Sequence, residues 1–261
     1  MSNNNSKVEK ICKEGYSLEF GTVLEKAFNN FKLIAGIGGV GMILIGIVMI
    51  AVYAGIFGAV YGFSDVLKSL SSINPEVMTG TSLLYLLLFS VIMAGVMSPI
   101  SAGFINMAYL ADKNKEFGLG TIFSFYKSKY FKELFTAAVV IAFFGTGLNN
   151  IFEYFGIKVI GLLITFTISF LTFLTIPLII FSDLKAIDAI TTSAKLVLKQ
   201  PLILLGLLIV TIILACLGIF GLCIGIFFTI PFIYSMYYTI YAAIIPFTEQ
   251  SELDEIGQNQ E

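Results

Sequence analysis

Six long apolar runs joined by short links leave this chain one class of architecture. A helix crossing the hydrocarbon core of a membrane needs about 20 mostly apolar residues, because each rises about 1.5 Å through a layer about 30 Å thick. Runs near 33–62, 82–111, 134–152, 159–181, 201–218 and 222–247 meet or approach that length. Backbone placed in lipid must satisfy its own hydrogen bonds, so such runs fold as helices. The expectation is an all-α polytopic membrane bundle of six transmembrane helices in three hairpins, each hairpin preceded by a cytoplasmic amphipathic helix. Residues 1–32 then form a cytoplasmic N-terminal segment, 33–247 the membrane domain and 248–261 an acidic cytoplasmic tail. In the third run, Gly145, Gly147, Asn149 and Asn150 break the apolar sequence, so that span is expected to be short, tilted or partly re-entrant.

Composition excludes the main soluble classes. Only 12% of the 261 residues are charged and 57% are hydrophobic, whereas a soluble domain carries about a quarter charged. A net charge of −2 gives no concentrated basic surface to displace counterions from a nucleic acid. All 15 basic residues are lysines and histidine is absent, which removes guanidinium clamps and imidazole chemistry. Cys12, Cys216 and Cys223 form no CxxC and have no histidine to complete a zinc site. No cofactor is expected. The opening MSNNNSKVEK lacks the apolar core of a cleaved signal, so the first run is expected to remain as an anchor.

The lysines alternate between links. Five precede the first span, one falls in 63–81, five in 112–133, one in 153–158 and three in 182–200, which puts 13 on one side and 2 on the other. Positive charge is retained on the cytoplasmic face. The expected location is the cell (inner) membrane, multi-pass, with both termini cytoplasmic. The acidic residues of the tail contribute little to this rule.

Three lysine-bearing segments share a pattern. Phe20, Val23, Leu24, Ala27, Phe28 and Phe31 recur at helical spacing, with Glu19, Glu25, Lys26, Asn29 and Asn30 between them. Ile122, Phe123, Tyr126, Tyr130 and Leu134 are set against Lys127, Lys129 and Lys132; Ile187, Ile190, Ala194 and Val197 against Lys185, Asp188, Lys195 and Lys199. Helices of this kind either lie in the headgroup plane, with Lys26, Lys127, Lys129, Lys132, Lys195 and Lys199 meeting anionic lipid, or pack on the bundle as elbows. Each return span carries one proline, Pro99, Pro177 or Pro231, which removes a backbone bond and permits a kink.

The run IPLIIFSDLKAIDAITTSAKLVLKQ at 176–200, the LLGLLIV span after it and the hairpin GIFGLCIGIFFTIPF resemble bacterial multi-span proteins related to the membrane domain of glycerophosphoryl diester phosphodiesterase. SPISAGFINMAYLADKNKEFGLGTIFSFYK at 98–127 is similar to the pattern those proteins show before their middle hairpin, and the resemblance covers about 80–247. It implies a hydrophobic domain that in relatives is separate from, or fused to, a catalytic one. The tails here are too short for a phosphodiesterase barrel, and the family's catalytic histidines have no counterpart. Some relatives carry the label beta-carotene monooxygenase; an iron site built on histidines does not fit a chain that has none.

Gly36, Gly38 and Gly41 match G-x-G-x-x-G, but they open an apolar run whose next charge is Asp65, so they are read as close helix packing and not as a nucleotide loop. Gly58-x-x-x-Gly62 and Gly221-x-x-x-Gly225 carry the same reading. Tyr234, Tyr237, Tyr238 and Tyr241 fall on one helical face, and Thr165, Ser169 and Thr172 form a hydroxyl stripe. The two either line a polar path or serve as interface anchors and interhelical hydrogen bonds. Glu133, Glu153, Asp183 and Lys158 stand at span ends, where they reach water. Cys216 and Cys223 flank one turn, as packed thiols or as a pair.

With no paired acid and base inside the membrane, enzymatic chemistry has no residues to run on. The expected function is a non-catalytic scaffold or accessory subunit. Its expected partners are membrane lipids with anionic headgroups and a membrane-protein partner or second copy, without nucleic acid. The alternative is a transporter or lipid-handling protein for an uncharged amphiphile.

Overall fold

A computed structural model describes residues 2–61, 80–220 and 225–247. Every regular element among them is helical, and six helical segments are long and apolar enough to cross a membrane. In chain order the helices are α1 (Ser2–Glu14), α2 (Phe20–Tyr61), α3 (Gly80–Asp112), α4 (Leu119–Phe123), α5 (Phe131–Tyr154), α6 (Lys158–Thr172), α7 (Thr175–Ser182), α8 (Ala186–Val197), α9 (Pro201–Cys216), α10 (Gly225–Thr229) and α11 (Pro231–Ile244). The six crossings are α2, α3, α5, α6 with α7, α9, and α10 with α11. The sixth is central: α11 packs on α2, α3 and α9, while α3, α5 and α6 follow one another in contact.

Three features differ from the sequence reading. The first amphipathic stretch is not a separate interfacial helix. It continues without a break into the first span, giving one helix of 42 residues: no proline falls between Phe20 and the apolar run, and the one glycine there, Gly21, lies in the first turn. Within it Asn30 is buried, although its neighbours place it among the polar positions. Its Nδ2 donates to Ala108 O at 2.7 Å, and Ser235 Oγ lies 3.1 Å from Asn30 Oδ1 and 2.7 Å from Ala27 O. One amide thus ties the first span to the second and sixth.

The third span is a continuous 24-residue helix through Gly145, Gly147, Asn149 and Asn150. Those small and polar residues serve packing: a Cβ on Gly161 would stand 2.7 Å from Asn149 Oδ1, and Thr165 Oγ1 donates to Gly145 O at 3.2 Å.

The prolines act in two ways. Pro99 lies inside unbroken α3; the Gly95 carbonyl that it leaves unpaired accepts the Ser98 hydroxyl at 3.0 Å. Pro177 and Pro231 instead stand at the starts of new helices, α7 and α11, where a missing N–H costs least. They mark breaks, not bends within one helix. At the α6–α7 break, buried Ser193 from α8 accepts from Leu174 N at 3.2 Å and donates to Leu171 O at 2.7 Å, supplying both partners that the break removes.

Glycines of the first span permit close approach. A Cβ on Gly38 would touch Pro231 at 3.0 Å, and on Gly41 the tip of Ile122 at 2.3 Å, whereas Gly36 faces open space. Gly62 and Gly221 lie outside the described residues, as does Cys223, the expected neighbour of exposed Cys216.

Candidate functional site: the lysine-bearing end

The lysine-bearing links come together at one end of the bundle. The link after α1 closes over the third elbow: Tyr16 donates its hydroxyl to Leu196 O at 2.8 Å, and Gln200 donates Nε2 to Tyr16 O at 2.7 Å while its Oε1 accepts from Leu18 N at 3.1 Å. Lys7 at one end of the chain hydrogen-bonds Pro246 O near the other. Burial pushes the Tyr16 phenol above the ordinary tyrosine range, and Cys12 beside it adds to that.

The second and third elbows clasp each other directly. Glu133, at the start of α5, accepts from Ala186 N at 2.7 Å and so caps α8 from another element. Lys129 pairs with Asp183 at 3.0 Å, and that hydrogen bond holds its ammonium above the usual 10.5. Asp183 takes a positive φ of 58° where α7 ends, as Asn114 does at 53° just past the end of α3. Both elbows therefore begin with the same left-handed turn.

Beneath this surface the ends of all three return spans meet in an aromatic cluster. Phe181 of α7 stands 5.2 Å from Tyr109 of α3, 5.3 Å from Tyr241 of α11 and 5.4 Å from Phe247, measured between ring centres. Tyr109, Phe181 and Phe247 were not marked by the sequence, since each is one ring in a long apolar stretch.

The tyrosines of this face each meet a different neighbour. Tyr234 stacks on Phe104 at 4.9 Å. Tyr237 leans on Phe173 at 5.3 Å, buried Tyr238 donates to Asp112 Oδ2 at 2.6 Å, and the Tyr241 and Ser182 hydroxyls share a bond of 2.7 Å. Of the hydroxyl stripe, Thr165 bonds to the third span, Thr172 to Ile168 O of its own helix at 2.7 Å, and Ser169 is exposed. Thr165, Thr172, Tyr238 and Tyr241 are thus occupied by helix–helix or intrahelical bonds.

Lys26, Lys127, Lys132, Lys195 and Lys199 are exposed at this end, whereas Lys129 is engaged by the Asp183 carboxylate. Glu153 and Lys158 lie at the opposite end, the first half-buried and the second exposed. A cavity of about 440 Å³ opens on the lysine-bearing end between α2, the end of α3 and α11, with Lys26, Asn29, Asp112 and Lys113 in its wall. Among the described residues, no three His, Cys, Asp or Glu side chains converge as a metal site.

No family model, curated protein or solved structure matches the chain. The class defined by fold and surface is thus a six-helix, multi-pass membrane bundle with one consolidated polar end.

Proposed function

We propose that the protein is a non-catalytic scaffold or accessory subunit of the cell membrane, whose working surface is the lysine-bearing end facing the cytoplasm. The observation that carries this reading is the clasp among elbows: segments distant in sequence are capped and ion-paired to one another by Glu133, Lys129, Tyr16 and Gln200. Cross-connected polar surface of this kind holds exposed lysines in fixed relative positions, as a docking platform requires. Handling of an uncharged amphiphile draws less support, because the Thr165, Thr172 and Tyr241 hydroxyls are already bonded to neighbours.

Photoreactive residues placed at exposed Lys127 and Lys132, and at exposed Phe155 and Phe220 away from the platform, test the reading in cells. A protein adduct of one defined mass is expected at Lys127 and Lys132 alone. No protein adduct there, or the same adduct at all four positions, overturns it. Orientation is checked on a chain with its three cysteines replaced. An impermeant thiol reagent applied to intact cells should label Lys158→Cys and spare Lys127→Cys, and the reverse pattern would invert the topology.

A further inference from the structure

We propose that the cavity at the lysine-bearing end binds the headgroup of a phospholipid with one net negative charge, whose acyl chains run down the exposed face of α2. The wall carries the Lys26 and Lys113 ammonium groups and the single Asp112 carboxylate, a net charge of plus one among these three. Asn29 and Asn114 add amide donors and acceptors, and Leu33 and Phe247 supply apolar wall. A phosphodiester neutralises this set. Headgroup hydroxyls donate to Asp112, which already accepts from Tyr238 at 2.6 Å. Lys113 also stands 5.7 Å over the Phe247 ring, which places its charge against the apolar wall.

A second observation selects a lipid over a free anion. Lys26, Asn29, Leu33, Gly36, Val40, Leu44 and Ile47 follow one another on a single face of α2, at spacings of three, four or seven residues, and all are exposed. The polar members line the cavity and the apolar members lead away from it. Leu33, Val40, Leu44 and Ile47 are each about half exposed, and nothing lies within 4 Å of a Cβ built on Gly36, so the strip has a shallow dip one turn below the cavity. From Leu33 to Ile47 the helix rises about 21 Å, enough to accompany an acyl chain through its own leaflet of a core about 30 Å thick. A cavity of about 440 Å³ takes a headgroup and not a whole lipid, which leaves the chains to that strip.

This inference does not depend on the scaffold reading, since bound lipid and protein adducts are separate readouts. The full chain is reconstituted in phosphatidylcholine discs containing a minor fraction of phosphatidylglycerol, re-extracted, and weighed by native mass spectrometry. One phosphatidylglycerol per chain is expected to be retained. With each lysine contributing by charge, Lys26→Gln with Lys113→Gln should lower retention about thirtyfold. Lys132→Gln, exposed at the same end but outside the cavity wall, should leave it unchanged. Gly36→Leu, which fills the dip and keeps both lysines, should lower retention on its own. Equal retention by wild type and the double variant overturns the proposal, as does retention of phosphatidylcholine to the same extent. Displacement of the lipid by an equal concentration of inorganic phosphate would assign the cavity to soluble anions and overturn it too.

Discussion

Gly103→Ala is expected to destabilise the bundle by about 3 kcal/mol, at the upper end of what overpacking costs. Gly103 lies in the second span against α4, and a Cβ there would stand 2.1 Å from the carbonyl oxygen of Ile122 and 2.6 Å from its carbonyl carbon and Cα. The obstacle is backbone, so no rotamer change relieves it. α4 must move outward, carrying with it Ile122, whose tip also fills the space over Gly41. Unfolding in mixed micelles, titrated with a denaturing detergent, reads the loss directly. Gly36→Ala is the matched control: it adds the same methyl group to a membrane helix where nothing lies within 4 Å, and its midpoint should stay within about 0.5 kcal/mol of wild type. If Gly103→Ala behaves like Gly36→Ala, the close approach of α4 to the second span is absent from the folded protein.

Phe181→Ala is expected to cost about 3 kcal/mol as well, by a different mechanism. Its ring is the contact shared by Tyr109, Tyr238, Tyr241 and Phe247, so truncation leaves a void where the three return spans converge. Lipid tails are as apolar as the side chains, so what is lost is close packing and ring–ring geometry, not transfer from water. Tyr109→Ala should be non-additive with it, with a coupling above about 0.5 kcal/mol in a double-mutant cycle. Strict additivity would mean that the two rings do not share a cluster.

The six crossings were legible because length and hydropathy are local properties, and the described residues hold six helical segments long and apolar enough to cross. The prolines were legible as places where the return spans are perturbed, but not as to whether the helix continues. At Pro99 a neighbouring serine repairs the ladder from within, whereas at Pro177 the repair comes from Ser193 on another helix. Gly145 and Asn149 read as interruptions because a single sequence cannot show that the fourth span packs against them. The same limit hid Asn30, whose partners Ala108 and Ser235 lie far along the chain. It also hid how α1 and the link after it are held, by Lys7 to Pro246 and by Tyr16 to Leu196 and Gln200. Of the candidate site, the lysines were visible as charge, while their assembly into one surface depends on caps and ion pairs between elbows that no periodicity encodes.

The 42-residue length of α2 has a mechanical consequence. At 1.5 Å per residue it measures about 63 Å, roughly twice the thickness of the hydrocarbon layer. It has no joint, whereas the fourth and sixth crossings are each made of two pieces. A displacement where α2 emerges is carried along one unbroken helix, whereas in the fourth and sixth crossings it meets a seam between two helices.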